Sequence, residues 1–239
     1  MIVADGEPLL VGARVQREHG WRTPGGRVEV AIPEDAPSRA FAKLEEALAW
    51  SGLALHEGEA AVELGSAPGG AAYALARRGV HVLGIDPAAM SPRVLAYEGP
   101  GGARVHHLAL AAGALRRHHA PSGASLLVCD ANLAPPVALR TVASIASWLR
   151  GSLRAAILTL KMNDDRMIDA IPELLSRVRG LGLSPRATQL PPTAARSAWW
   201  PRATAAERRF TWHGGAPVIA FAEQVATGLR APCRGSRAP

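Results

Sequence analysis

Short apolar runs alternate with longer amphipathic stretches along most of the chain. The runs typical of buried strands are Ala60 to Leu64, His81 to Ile85, Ala103 to Leu108, Ser125 to Cys129 and Ala155 to Leu160. Apolar residues at helical spacing predict helices from Ser38 to Gly52, from the glycine-rich turn after Leu64 to Arg78, from Pro136 to Leu149 and from Arg166 to Arg179. Strands that alternate with helices predict an α/β fold, with a mostly parallel sheet that carries helices on both faces.

The last part of the chain completes the predicted sheet. Phe210 to Trp212 and Val218 to Phe221 are candidate closing strands, which we expect to run antiparallel to the others and to bring the sheet to seven strands. The predicted organisation is an extended lead-in over 1–37, one catalytic domain over 38–222, and a basic, disordered tail over 223–239.

Composition favours an intracellular protein. The 239 residues are 48% hydrophobic, and the N-terminus shows neither a basic segment followed by an apolar core nor a membrane-spanning run. Two cysteines, Cys129 and Cys233, offer no disulfide framework and no metal-ligand spacing. We therefore expect a cytoplasmic protein with no membrane partner. The histidine pairs at 106–107 and 118–119 have no cysteine or carboxylate beside them to complete a ligand set, so we interpret them as surface residues and predict no metal.

Charge and lysine usage point toward chemistry on an anionic partner. The formal net charge is +7, which suits a nucleic acid, although compositional drift toward arginine would give the same value. Only two of the 27 Lys and Arg residues are lysines, Lys43 and Lys161. A lysine can be brought to lose its proton whereas arginine stays charged, so these two positions are candidates for acid–base work.

A glycine-rich turn links the first apolar run to the next helix. It lacks the dinucleotide fingerprint and the P-loop pattern, but it lets backbone approach a ligand at a helix N-terminus. Asp86 ends the second run, where a carboxylate can accept hydrogen bonds from ribose hydroxyls; alternatively it caps a helix, and the turn binds nothing. Taken together, the turn and Asp86 indicate an adenosine-containing ligand. The candidate ligand-binding residues of the turn are Glu63, Gly65, Ser66, Ala67, Pro68, Gly69 and Gly70.

Asp130 and Lys161 each follow or end an apolar run. Because the carboxyl ends of parallel strands meet at one edge of the sheet, both side chains should project into the same crevice. The pair then serves either as an ordinary ion pair or as an aspartate that holds a catalytic lysine in place.

Five segments in combination resemble the RrmJ/FtsJ-type ribose 2′-O-methyltransferases of RNA, and most closely those that act on bacterial large-subunit ribosomal RNA. They are PSRAFAKLEE from Pro37, ELGSAPGG from Glu63, GIDPAAM from Gly84, VCDAN from Val128 and LTLKMN from Leu158. The resemblance implies a Rossmann-like class I fold that uses S-adenosylmethionine, with RNA as the partner.

In that family a Lys-Asp-Lys-Glu tetrad serves the reaction. The resemblance assigns Lys43, Asp130 and Lys161 to it, and the nearest match for the fourth member is Glu207, because Arg209 stands where the acid is expected. It implies that Lys161 removes or shares the hydroxyl proton, that Lys43 steers the ribose, and that Asp130 orients Lys161 and lines the cofactor site.

Two further departures accompany that arginine. The acid that contacts adenine in the family is replaced by Leu110, Ala111 and Ala112. We find no match here for the N-terminal RNA-binding region of the family's ribosomal RNA enzymes, and we expect target selection to depend on a protein partner, on arginine surfaces or on Trp199 and Trp200. A small-molecule O-methyltransferase and a catalytically inactive protein that binds cofactor and RNA remain alternatives.

Overall fold

The computed structural model describes residues 30–162, 169–180, 183–189 and 216–224. The helices in these ranges are α1 (Ala40–Ser51), α2 (Gly70–Ala76), α3 (Pro92–Ala96), α4 (Pro135–Trp148) and α5 (Ile171–Gly180). The strands are β1 (Ala60–Leu64), β2 (His81–Ile85), β3 (Val105–Leu108), β4 (Leu126–Cys129), β5 (Ala155–Met162), β6 (Leu183–Gln189) and β7 (Ala216–Gln224). The first five strands and the first helix thus lie where the hydrophobic pattern predicts them.

The described strands form one sheet in the order β3-β2-β1-β4-β5-β7-β6. Every neighbouring pair is parallel, which confirms the predicted α/β fold with a mostly parallel sheet. The expectation of an antiparallel closing strand at Val218 to Phe221 is wrong, since β7 runs parallel to β5 and β6. An apolar run carries no information on strand direction, because the same side-chain alternation occurs in parallel and antiparallel strands.

Alternate residues of the strands enter two separate apolar clusters. In β4, Leu126 and Val128 pack with α1 and α2, whereas Leu127 and Cys129 pack with α4 and α5. Two-residue periodicity produces this division, because successive side chains of a strand point to opposite faces. Lys161 follows Leu160 of the second cluster, so it points to the α1 side of the sheet.

Helix α1 places a lysine beside that edge of the sheet. Phe41, Leu44 and Leu48 are buried at helical spacing, and Gly52 ends the helix in the left-handed conformation with φ 67°, as the pattern predicts. Lys43 lies off this apolar stripe and stays partly exposed. The burial of one stripe therefore fixes the direction in which Lys43 projects.

No helix in the described part of the chain is both long and apolar enough to cross a membrane. The division into 1–37, 38–222 and 223–239 stays a prediction, and Phe210 to Trp212 lies outside the described residues.

Candidate active site

Asp130 and Lys161 meet at the carboxyl edge of the sheet. Asp130 comes directly after β4, and its N–H donates to the Leu64 carbonyl at the end of β1 over 3.0 Å. Lys161 lies near the end of β5, and its Nζ donates to Asp130 Oδ1 over 2.7 Å. Lys161 is only 8% exposed, so this pair is held in a largely dry environment, where charge–charge attraction is stronger than in water.

Lys43 reaches the same carboxylate from α1. Its Nζ lies 3.5 Å from Asp130 Oδ2, and its side chain is 24% exposed. One carboxylate therefore contacts two ammonium groups, one through each oxygen. The three-residue cluster, Lys43 with Asp130 and Lys161, has a net charge of +1 when both lysines are protonated, and Lys43 is its more accessible member.

Gly65 opens the glycine-rich turn with φ +74°, a conformation that residues with a Cβ adopt at a cost. A Cβ at this position would also lie 2.5 Å from the Ala131 Cα. The turn after β1 thus rests directly on the backbone that carries Asp130. Only glycine permits this approach.

The rest of the turn leads into α2. Gly69 precedes the helix with a left-handed backbone, and a Cβ on Gly70 would collide with Ser38 just before α1. Pro68 accepts a hydrogen bond through its carbonyl from the Ser91 N–H at 3.0 Å. The turn is therefore packed against the loop after β2 and against the start of α1.

Asp86 fastens the turn to the loop after β2. Its Oδ2 accepts from the Ala67 N–H over 3.2 Å, and its Oδ1 accepts from the Ala88 N–H over 2.8 Å. The alternative reading of Asp86 as a helix N-cap is wrong, because the next helix begins at Pro92 and Ser91 occupies the capping position. The carboxylate is half-buried and lies beside the turn.

Two buried polar atoms of the turn have no hydrogen-bond partner among the described residues. They are Oε2 of Glu63 and Oγ of Ser66, whose residues are 1% and 2% exposed. Burial raises the pKa of the Glu63 carboxyl well above its ordinary value, and the negative charges of Asp130 and Asp86 raise it further. Unsatisfied buried polar atoms are rare in folded proteins, so their clustering at one turn indicates a site that accepts a polar ligand.

Several other residues singled out from the sequence lie near this site or outside the described residues. Leu110 and Ala112, which replace the acid expected at adenine, pack against the apolar cluster of α4. His107 is more than a surface residue, since its Nε2 donates to the Asp86 carbonyl oxygen over 3.0 Å. No cluster of potential metal ligands occurs within the described ranges. Glu207, Arg209, Trp199 and Trp200 lie outside those ranges, so the fourth tetrad residue stays a prediction.

Sequence reasoning did not single out two buried residues on the elements that build the site. Glu46 is buried on α1, three positions after Lys43, and this spacing on one helical face was the available signal. Met90 is buried, and a Cβ on Gly69 would lie 2.5 Å from its sulfur.

Burial raises the pKa of the Cys129 thiol to about 11, which excludes a thiolate nucleophile there at neutral pH.

Comparison with known proteins gives the family of the chain. The model of the FtsJ-like methyltransferase family matches residues 36–156. The chain is 34% identical over 182 residues to the Ribosomal RNA large subunit methyltransferase M of Halorhodospira halophila, with 74% of this chain and 50% of the relative covered. It is 34% identical over 194 residues to the protein of the same name from Azotobacter vinelandii, with 77% and 51% covered.

The chain spans about half the length of the curated relatives it matches. The family match covers just over half of the chain, and it includes Lys43, the glycine-rich turn, Asp86 and Asp130. The chain therefore belongs to the FtsJ-like methyltransferase family.

Proposed function

We propose that this chain is an S-adenosylmethionine-dependent enzyme that methylates a ribose 2′-hydroxyl of RNA, with ribosomal RNA as its substrate. The family match and the names of the relatives support a methyltransferase of ribosomal RNA. In its finer form the proposed fold is the Rossmann-like class I arrangement, a seven-stranded, mostly parallel sheet with helices on both faces.

The observation that carries the proposal is the sharing of Asp130 by two lysines. Lys161 from β5 and Lys43 from α1 contact separate oxygens of this carboxylate, at 2.7 and 3.5 Å. A net positive cluster attracts the oxyanion that develops when a hydroxyl loses its proton. In an arginine-rich chain, the only two lysines thus converge on one carboxylate.

The residues around the glycine-rich turn fit the cofactor. Ser66 Oγ and Glu63 Oε2 are buried polar atoms without a hydrogen-bond partner among the described residues. The half-buried Asp86 carboxylate can accept hydrogen bonds from ribose hydroxyls. Backbone from Gly65 to Gly70, together with the Asp130 side chain, would line the remainder of the site. When bound, S-adenosylmethionine supplies an electrophilic methyl group on a positively charged sulfur.

The chain's own residues would then position the ribose 2′-hydroxyl and take its proton. Lys161 in its neutral form would take the 2′-hydroxyl proton on Nζ, so that the hydroxyl oxygen could accept the methyl group that the bound cofactor would supply. Asp130 keeps that Nζ at the strand end, and Lys43 attracts the ribose oxygen. Proton removal of this kind contributes about 10²- to 10⁴-fold to rate, and alignment of the reacting atoms contributes the larger share.

The proposal extends to Glu207 as the fourth member of the tetrad, and Glu207→Gln should lower transfer without weakening cofactor binding. It also includes a cytoplasmic location, recognition of RNA by the basic surface that the net charge of +7 implies, and a protein partner that assists target selection.

The decisive experiment incubates the protein and labelled S-adenosylmethionine with ribosomal RNA, transfer RNA and a panel of small hydroxylated molecules. We expect label on ribosomal RNA, at a linkage that resists alkali because the 2′-oxygen can no longer attack the adjacent phosphate. Lys161→Arg should abolish labelling. Arg177→Lys exchanges the same two residue types at an exposed ion pair with Glu173 on α5 and should leave labelling intact.

Other outcomes would replace the proposal. Label on a small molecule alone would favour an O-methyltransferase of small substrates. Binding of cofactor and RNA without transfer would favour the inactive binding protein. Full labelling by Lys161→Arg would refute Lys161 as the group that accepts the proton.

A further inference from the structure

Glu63 is the most deeply buried carboxyl of the site. It lies on β1, two residues before Gly65 at the start of the glycine-rich turn, is 1% exposed, and its Oε2 has no hydrogen-bond partner among the described residues. Its register neighbours are Gly84 on β2 and Val128 on β4, neither of which offers a side-chain donor. An ionised carboxylate in such surroundings would lose its hydration without compensation.

The charged groups on the neighbouring elements make ionisation harder still. Asp130 follows β4 and Asp86 follows β2, and both raise the pKa of the Glu63 carboxyl through their negative charge. The cations of the site are Lys43 on α1 and Lys161 on β5, and both are engaged by Asp130. Glu63 thus faces two carboxylates, while the nearby ammonium groups are directed to one of them.

We propose that Glu63 is protonated in the cofactor-free protein and gives its proton to solvent when a cationic group of the cofactor binds beside it. The inference rests on the proposed cofactor, whose ammonium and sulfonium groups are its two cations. Glu63 donates the proton through solvent, keeps the electron pair of the O–H bond, and becomes the anion that pairs with the incoming cation. No oxidant or further reactant is needed.

This exchange predicts cofactor binding that depends on pH with a known sign. Each bound cofactor must displace one proton, so the dissociation constant should rise about tenfold for each pH unit lost below the pH at which free Glu63 ionises. Glu63→Gln keeps the shape of the neutral acid but carries no exchangeable proton. Near neutral pH its dissociation constant should be larger than that of the natural sequence. Between about pH 5.5 and 7 the constant should hardly change with pH.

The direct test counts protons by calorimetry. S-adenosylmethionine is titrated into the protein in buffers of different ionisation enthalpy, and the slope of binding enthalpy against buffer enthalpy gives the protons released. We expect roughly one proton for the natural sequence and none for Glu63→Gln. The matched control is Glu57→Gln, at an exposed position before β1, which should release the same number as the natural sequence.

A parallel titration with S-adenosylhomocysteine identifies the cation, since this product has the ammonium group but lacks the sulfonium. Release with both ligands assigns the ammonium, and release with S-adenosylmethionine alone assigns the sulfonium. Binding without proton release would overturn the inference and leave the proposed function standing. Failure of S-adenosylmethionine to bind would overturn both.

A second readout needs no cofactor. Because the pKa of Glu63 is higher in the folded than in the unfolded chain, the folded state binds more protons, and its free energy of unfolding falls as pH rises from about 4.5 toward the folded value. The free energy of unfolding of Glu63→Gln does not fall in this way. Chemical denaturation should therefore show the variant gaining stability relative to the natural sequence as pH rises. A difference independent of pH would show that Glu63 is ionised in the free protein, which contradicts the inference.

Discussion

The two halves of the crevice handle their polar groups in opposite ways. At the ends of β4 and β5, both oxygens of Asp130 are engaged, by Lys161 and by Lys43. At the end of β1, the buried polar atoms of Glu63 and Ser66 lack hydrogen-bond partners in the described structure. The lysine half is assembled before any ligand arrives, whereas the turn half is left incomplete.

That difference separates two ways in which a site prepares for catalysis. Groups that perform chemistry benefit from being held in place in advance, because reorganisation during the reaction is then avoided. Groups that bind a cofactor can remain unsatisfied, since the ligand later supplies their partners. Substitutions in the lysine half should therefore affect turnover, and substitutions in the turn half should affect binding.

The largest effect should come from Lys161→Ala. Loss of the amine removes the proton acceptor, so methyl transfer should fall about 10²- to 10⁴-fold, while the affinity for S-adenosylmethionine changes little. Single-turnover rates and calorimetry measure the two quantities. Added small primary amines should partly restore the rate; an equal loss of cofactor affinity would instead place Lys161 in the binding half.

Gly65→Ala should have the largest effect on stability. The left-handed backbone costs alanine about 1–2 kcal/mol, and overlap with the Ala131 backbone adds about 1–3 kcal/mol. Gly58→Ala is the matched control, because Gly58 has φ +83° and no atom within 4 Å of the added Cβ. Denaturant unfolding should show the larger loss for Gly65→Ala; equal losses would mean that the turn yields without strain.

Asp86→Asn should weaken cofactor binding about tenfold, since a hydrogen bond to a charged acceptor contributes about 1.5–3 kcal/mol and a neutral amide oxygen keeps part of it. The asparagine oxygen can replace only one of the two oxygens that accept from the Ala67 and Ala88 N–H groups, so stability should also fall, by about 1 kcal/mol. Isothermal titration gives the affinity, and thermal unfolding gives the stability. A variant that binds normally would remove Asp86 from the ligand site.

The smallest effect should be that of Ser66→Ala on the free protein. The Ser66 hydroxyl is buried without a partner, so its removal should leave the free energy of unfolding unchanged or raise it by up to about 1 kcal/mol. Ser152→Ala provides the contrast, because Ser152 Oγ donates to the Ala124 carbonyl over 2.8 Å and its loss should cost about 1 kcal/mol. A destabilised Ser66→Ala would reveal a partner for that hydroxyl in the free protein.

Periodicity was sufficient to predict the strands that carry the site. Strands β1 and β2 have the predicted bounds. Because parallel strands end at one edge of the sheet, the sequence also predicted that Asp130 and Lys161 lie close together, as they do. Lysine scarcity had already singled out Lys43 as a candidate, but only the resemblance grouped it with Asp130 and Lys161, because no strand rule predicts its approach from a helix.

Other features depend on tertiary contacts that leave no local trace in sequence. Arg154 donates to Glu59 across 95 positions of the chain, and nothing near either residue indicates the other. The direction of β7 was missed for the same reason, since its apolar run is compatible with either. Glu63 was recognised as part of the turn, but its lack of a partner depends on what β2 and β4 place beside it.

The sharing of Asp130 also bears on why this arginine-rich chain has lysines at these two positions. A guanidinium binds a carboxylate through two parallel N–H groups and occupies both oxygens, whereas an ammonium group can occupy one. Arginine at either position could therefore compete with the other cation for the second oxygen. The two lysines divide Asp130 between them, one oxygen each, and this division is a reason for lysine at 43 and 161 that is independent of any proton transfer.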